Sequence, residues 1–341
     1  MEPLRIAVVG CGAVAQLNHL PALAASRHAK AAVLVDRDLS RAQAQARRWG
    51  VPRAVADVAE MGEVDAAIVA LPNHLHAPVT IDLLRRRIPV LVEKPMAPTV
   101  ADCDAMIAAA AETGVPLAVG LEFRFFDSTA TVRELLASEL VGPLTGLDLR
   151  QGVIPRWPFA TDFMLRKETA GGGVLADFGV HVLDLLLCWL GDWRDVRCAD
   201  DALGGLESDA VVDLTFASGL AGTVEVSRTR NLRNTCRFTG ERGTLEVGIW
   251  DADPEITLHL PDRDVQLAGR ARGAKGGFTF HDAFVRQLDD FASAVREGRE
   301  PRVLGREGRR AVALVEACYA QRRPLALPWE SPPELASWVE S

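Results

Sequence analysis

Short, continuous apolar runs punctuate the first third of the chain, and helix-like sequence such as residues 42–49 fills the gaps between them. The runs at residues 6–9, 31–35, 65–71, 90–92 and 115–120 have the pattern of strands buried on both faces of a parallel sheet. Beyond residue 122 the character changes. Residues 131–138 read as a helix and 145–153 as a strand. Short alternating strands follow at 211–216, 220–227, 235–239, 256–258 and 265–267, separated by Gly and polar turns that suggest antiparallel neighbours. A parallel βαβ half followed by a strand-rich half places a boundary near residue 122 and gives two units, 1–122 and 123–341. The Gly-rich segment 269–277 reads as a mobile loop.

One stretch breaks the hydrophobic pattern. Gly171-Gly172-Gly173 opens an apolar run through Trp189 that reads as a buried helix, yet Asp177, His181 and Asp184 recur four and then three residues apart. That spacing puts them on one helical face. Ionisable groups on such a helix are costly to bury unless they are paired or face a polar cleft. The stripe therefore reads as lining a site.

Composition narrows the setting. The 341 residues are 48% hydrophobic and 25% charged, with a net charge of −8, a soluble two-domain composition without the clustered basic face that nucleic acid requires. The N-terminus reads as a first strand rather than a leader peptide. No run approaches the ~20 apolar residues of a membrane span, the longest being interrupted by Asp184. Six scattered cysteines with no C-x-x-C pair fit free thiols in a cytoplasmic protein.

The chemistry begins where the first strand runs into Gly10-Cys11-Gly12-Ala13-Val14-Ala15. A strand followed by G-x-G-x-x-G/A and a helix is the dinucleotide fingerprint, its small residues allowing a tight turn, close approach of a pyrophosphate and close helix packing. The second strand ends at Asp36, at the distance where that fold places the acid for the adenosine ribose. The alternative is that Asp36 caps the next helix, for which Asp38 is an equal candidate. An acid here favours NAD, while Arg37 beside it keeps NADP possible. Loops after strand ends line the ligand crevice in such a sheet, which makes Leu71, Pro72, Asn73 and His76 candidates, along with Glu93 and Lys94 after the next strand. His74 reads as turn chemistry.

Taken together, several motifs resemble the Gfo/Idh/MocA oxidoreductases, relatives of glucose-fructose oxidoreductase and inositol dehydrogenase. They are Gly10-x-Gly12-x-x-Ala15, Pro72-Asn73-x-x-His76, Glu93-Lys94-Pro95, Gly172-Gly173-x-x-x-Asp177-x-Gly179-x-His181-x-x-Asp184 and Gly240-Glu241-Arg242-Gly243-Thr244-Leu245. Residues 291–301 and 316–319 also look like the family's C-terminal region. The resemblance implies an α/β fold: an N-terminal doubly wound Rossmann domain binding NAD(P), then an α+β domain with a large open, mostly antiparallel sheet. That second domain would carry substrate and the subunit contacts of a homodimer or homotetramer, with the C-terminal helix packing back on the first.

The resemblance further implies hydride transfer between nicotinamide and a secondary alcohol of a sugar, amino sugar or cyclitol. His181 would serve as the base, since its unperturbed pKa lies near neutrality. Lys94 would bond the reacting oxygen, and Asp177 would bind a neighbouring hydroxyl or raise the imidazole's basicity. Asp184 would support the others. Substrate selection is expected from Arg124 and from residues 151–167, where Arg156, Trp157, Phe159, Asp162, Phe163 and Arg166 occur without a clear period. Arg156 or Arg166 could grip an anion or form a surface ion pair. No metal is expected. Tyr319 has no lysine four residues on, so a short-chain dehydrogenase site is absent, and the cysteines lack the spacing of a zinc enzyme. Two alternatives stay open: glycoside cleavage or epimerisation through transient oxidation by bound NAD, and a non-catalytic sensor of cofactor or sugar.

Overall fold

The computed structural model describes residues 2–155, 162–271 and 277–326. Six strands, β1 (Leu4–Val9), β2 (Ala29–Val35), β3 (Ala54–Val55), β4 (Ala66–Val69), β5 (Val90–Glu93) and β6 (Leu117–Gly120), form a parallel sheet in the order β3-β2-β1-β4-β5-β6. Strands β4, β5 and β6 are buried at every position, because helices cover both faces and leave no side for polar alternation. The helices are α1 (Leu20–Ala25), α2 (Leu39–Trp49), α3 (His76–Arg85) and α4 (Val100–Thr113). Helix α4 starts at Thr99, whose side chain accepts from Asp102 N, and stops at Gly114 in the left-handed region.

Helix α5 (Asp127–Ala137) leads into a nine-stranded sheet. Its strands are β7 (Leu144–Gly152), β8 (Trp193–Asp200), β9 (Asp209–Phe216), β10 (Ala221–Ser227), β11 (Thr235–Gly240), β12 (Gly243–Gly248), β13 (Glu255–Leu260), β14 (Val265–Arg270) and β15 (Arg322–Pro324). The order is β14-β13-β12-β11-β7-β10-β9-β8-β15. Most pairs are antiparallel, as expected from the turns, but β10 runs parallel to β7 and β15 to β8. The chain leaves β7, passes through the central helix and two more strands, and returns to β7's edge from the same end. Residues 269 and 270, expected in a mobile loop, extend β14 instead.

Between β7 and β8 lie α6 (Lys167–Ala170), a π-helical turn at Leu175–Gly179, and α7 (Val180–Leu190). The glycines ahead of that turn answer a steric demand: a Cβ on Gly173 would fall 2.0 Å from the carbonyl oxygen of Glu207. Glu207 fills the space, accepting from Gly173 N at 2.9 Å, Leu175 N at 3.1 Å and the Tyr319 hydroxyl at 2.7 Å. The stretch Lys167–Leu190 is, contrary to expectation, long and apolar enough to cross a membrane, but 72% of its most apolar window is buried inside the protein. Its apolar residues, Leu183, Leu186 and Leu187 among them, pack in one core with Val212, Val224 and Phe238 of the second sheet.

The last two helices return to the first sheet, and α9 also packs on the elements of the second. Helix α8 (Phe280–Glu297), opened by a Thr279–Asp282 capping box, packs on α1 and β2. Helix α9 (Gly305–Ala320) packs on α4 and β6 on one side and on α7 and β8 on the other. The cleft lies between the C-terminal ends of β1, β2, β4 and β5 and the start of α7, and Phe280 and Phe284 of α8 line it.

Candidate active site

The cleft has a volume of about 1410 Å³ and runs from the turn after β1 to the π-helical turn and α7. At the β1 end, Gly10 has φ of +98°, and a Cβ there would meet the Ala70 oxygen at 2.3 Å, so the tight turn requires glycine. A Cβ on Gly12, in contrast, meets nothing within 4 Å. Gly12, Ala13 and Val14 line the cleft, and the open space over Gly12 is where a pyrophosphate would approach the backbone. Ala15 is fully buried and serves helix packing.

Asp38 resolves the choice left by the sequence: its side chain accepts from Arg41 N and caps α2. Asp36 is not the cap. It is buried at the cleft wall, accepting from Cys11 N at 3.0 Å and Asp38 N at 2.9 Å, with Arg41 Nη1 at 3.2 Å. Arg37 and Arg41 line the cleft beside it. These residues fit a dinucleotide: a glycine turn open to the cleft, and an acid ending the second strand.

Leu71, Pro72 and Asn73 also line the cleft, and Asn73 Nδ2 donates to Ala170 O across the two domains at 2.7 Å. His76 does not reach it. The ring is fully buried, with Nδ1 2.9 Å from Pro95 O and Nε2 2.8 Å from Leu71 O. It pins the β4 loop to the turn after Lys94 rather than touching a ligand. Glu93 faces the cleft but is engaged by His19 Nε2 at 2.7 Å and by Lys94 N at 3.1 Å. Burial opposes its charge, and the His19 hydrogen bond and the Lys94 cation override that, leaving the carboxyl below its ordinary value.

Lys94 Nζ lies 3.0 Å from Asp177 Oδ1 and 3.1 Å from the Asp177 carbonyl. Burial disfavours the ammonium, yet the carboxylates of Asp177 and Glu122 raise its pKa above the ordinary value. Asp177 thus pairs with Lys94, and through Oδ2 with Arg228 at 3.4 Å. It has no hydrogen bond to His181, so the expected support of the imidazole by Asp177 is not what the structure places there. Asp177 sits in the π-helical turn that ends at Gly179, and His181 in the helix that follows, which changes the spacing a regular helix would give.

His181 lines the cleft with its ring stacked on Phe123, centroids 4.6 Å apart. Burial, then the Lys94 cation, hold its pKa well below the ordinary value, so the ring is neutral. Asp184 leaves the stripe altogether: it forks onto buried Arg124 at 2.8 and 2.7 Å. Arg124 spends its guanidinium on that pair and is not a cleft residue, which corrects its assignment to substrate. Arg166 lines the rim, with Asp162 2.5 Å away. Arg156, Trp157 and Phe159 lie outside the described residues.

Glu122, Arg228, Trp250 and Arg41 are among the cleft residues that the sequence reading missed. Glu122 follows the end of β6 by two residues, the same strand-end rule that pointed to Lys94. Arg228 directly follows β10. Trp250, 41% exposed, meets Phe178 edge-on at 5.7 Å, and Arg41 lies one turn into α2; neither carries a sequence signal.

Comparison with known proteins agrees with this geometry. Residues 4–121 match the oxidoreductase family described as having an NAD-binding Rossmann fold, and residues 129–246 match the GFO/IDH/MocA C-terminal domain. The chain is 30% identical over 272 residues to mouse (Mus musculus) trans-1,2-dihydrobenzene-1,2-diol dehydrogenase, covering 75% of this chain and 78% of that protein. It is 27% identical over 318 residues to D-xylose 1-dehydrogenase (NADP(+)) 2 of Haloferax volcanii, covering 92% and 95%. The crystal structure of aldose-aldose oxidoreductase from Caulobacter crescentus, complexed with glycerol, superposes with a TM-score of 0.83 at 26% identity, over 94% of this chain and 97% of that one. A glycine turn and acid at one end of the cleft, a lysine and histidine at the other, and matches across both domains place this chain in the Gfo/Idh/MocA family of NAD(P)-binding, sugar-type oxidoreductases.

Proposed function

We propose that the protein interconverts a secondary alcohol of a sugar, amino sugar or cyclitol with the corresponding ketone, with NAD as the preferred cofactor. The observation that carries this reading is that Lys94 and His181 line the same cleft as Gly12 and Asp36. Gly12, Ala13, Val14 and Asp36 would hold the dinucleotide. When bound, its nicotinamide supplies the hydride acceptor or donor. Lys94, charged and fixed by Asp177, donates a hydrogen bond to the reacting oxygen and stabilises negative charge there. Neutral His181 takes the hydroxyl proton. Arg228 and Asp177 bind neighbouring hydroxyls, and Trp250 with Phe178 offers the apolar face of a sugar a surface to rest on.

Asp36 supports the NAD preference, because a carboxylate at that position repels a 2′-phosphate. Buried thiols at Cys11, Cys103, Cys198, Cys236 and Cys318 support a reducing, cytoplasmic setting. The wide second sheet supports a homodimer or homotetramer. The test is a panel of aldoses, amino sugars, uronic acids and cyclitols, each with NAD and NADP, read by nicotinamide absorbance. Turnover with at least one, faster with NAD, is the expected result. Turnover with NADP alone overturns the Asp36 assignment, and no redox change with any polyol overturns the activity.

A further inference from the structure

The catalytic imidazole has an unexplained edge. His181 Nδ1 is buried and has no hydrogen-bond partner among the described residues, although a histidine used as a base needs one nitrogen anchored so that the other can present its lone pair. The group facing that edge is Glu122, whose Oε2 lies 3.7 Å from Nδ1. That separation is longer than a hydrogen bond, but catalytic pairs often sit loose in the free enzyme and tighten when the ligand binds. Phe123, the next residue, stacks on the ring and fixes its plane.

Among the described residues, every other charged group around Glu122 is already engaged. Glu93 is bonded to His19, Lys94 to Asp177, and Asp184 to Arg124. Helices α5 and α8, which also pack on this turn, bring Asp127 and Arg286, paired with each other, and the rings of Phe280 and Phe284. Among the described residues Glu122 alone of these carboxylates has no hydrogen bond from another residue's side chain.

We propose that Glu122 is the positioning residue and proton store for His181. In alcohol oxidation the ionised carboxylate accepts from Nδ1–H, leaving the Nε2 lone pair for substrate. When the substrate O–H bond breaks and Nε2–H forms, Nδ1–H breaks and a Glu122 O–H bond forms. The relay moves one proton and no electrons. In ketone reduction it runs backwards: the protonated carboxyl donates to Nδ1 and leaves Nε2–H to protonate the substrate oxygen. The two directions therefore use opposite protonation states of Glu122. Burial and the Glu93 carboxylate push Glu122 up to about 8, against the pull of Lys94, so both states are reachable near neutral pH. The inference rests on the reading of His181 as the substrate's base.

The experiment is a titration of ¹⁵N-histidine-labelled protein saturated with NAD, following the His181 ring nitrogens, assigned with His181→Asn, from about pH 6 to about pH 10. In the wild type the ring should pass from the Nε2–H to the Nδ1–H tautomer as pH rises through the Glu122 titration. The change should vanish in Glu122→Gln and persist, displaced, in Glu122→Asp. Glutamine reproduces the protonated carboxyl's shape and lack of charge, and thermal unfolding that matches the wild type near pH 4 and lies at or above it at neutral pH verifies the fold. With the most active alcohol from the panel, Glu122→Gln should lower kcat about tenfold or more, leave KM nearly unchanged, and lose the alkaline rise in rate. One tautomer throughout in the wild type, or a change that survives Glu122→Gln, overturns the relay. If His181→Asn turns over normally, the assignment of the base has failed. If His181→Asn is inactive while the tautomer ignores Glu122, the relay alone has failed.

Discussion

The ammonium of Lys94 and the carboxylate of Asp177 stand 3.0 Å apart, linking the end of β5 in the first domain to the π-helical turn of the second. Both side chains are about four-fifths buried, where an opposite charge counts for more than it does on a surface. The pair therefore fixes the lysine's aim and its charge state together, and it spans the cleft in which the two domains meet.

Asp177→Asn removes the nearest carboxylate that raises the Lys94 pKa, so that pKa should fall toward its ordinary value or below, burial being the opposing influence. A profile of kcat/KM against pH should show activity lost at lower alkaline pH than in the wild type. The rate at neutral pH should drop about tenfold or more, as expected when an aimed donor loosens. An unshifted alkaline limb would separate Asp177 from the charge of Lys94.

Arg124 and Asp184 make a different kind of pair, buried outside the cleft. Losing one partner leaves the other charge stranded, at a cost of about 3–5 kcal/mol. Arg124→Met or Asp184→Leu should accordingly show that loss in urea denaturation, and the double variant should recover much of it. Cofactor affinity should be unchanged in any variant that remains folded.

The two glycines of the first turn should fail in different ways. Gly10→Ala forces a Cβ against the Ala70 backbone at a positive φ and should destabilise the fold. Gly12→Val has free space within the protein, so its melting temperature should stay near wild type while NADH fluorescence binding is lost.

Glu122 should leave a signature in stability. Its folded value, about 8, lies above the ~4.3 of an unfolded glutamate. Such a group contributes stability below the unfolded value, and that contribution is lost as pH rises to the folded one. Glu122→Gln should therefore match the wild type near pH 4, become relatively more stable up to about pH 8, and hold a constant margin above it. Thermal unfolding across that range gives the measurement.

Much of the fold was legible because burial on both faces leaves continuous apolar runs, as at β4 and β5, while one-sided burial leaves alternation, as at β9. Strand ends then pointed to Gly12, Asp36, Asn73 and Lys94, all of which line the cleft. The errors share a physical source. His76, Arg124 and Asp184 carry polar groups that look like ligand contacts in a sequence, and only tertiary packing reveals that carbonyls and each other satisfy them. A π-helical turn cannot be read from residue spacing, so Asp177 and His181 were assigned to one regular face. Arg228 and Trp250 follow strands of the second sheet, and long-range pairing of those strands brings them to the cleft.

In the proposed reaction Lys94 and His181 act on a polyol hydroxyl while hydride is transferred to the nicotinamide. Its most direct test is single-turnover nicotinamide reduction with the best alcohol from the panel, comparing wild type with Lys94→Ala and His181→Asn at saturating cofactor. The absorbance change should be fast in the wild type and slowed about 10²–10⁴-fold in each variant, with NADH binding retained. Reduction at wild-type rate in both variants would contradict it.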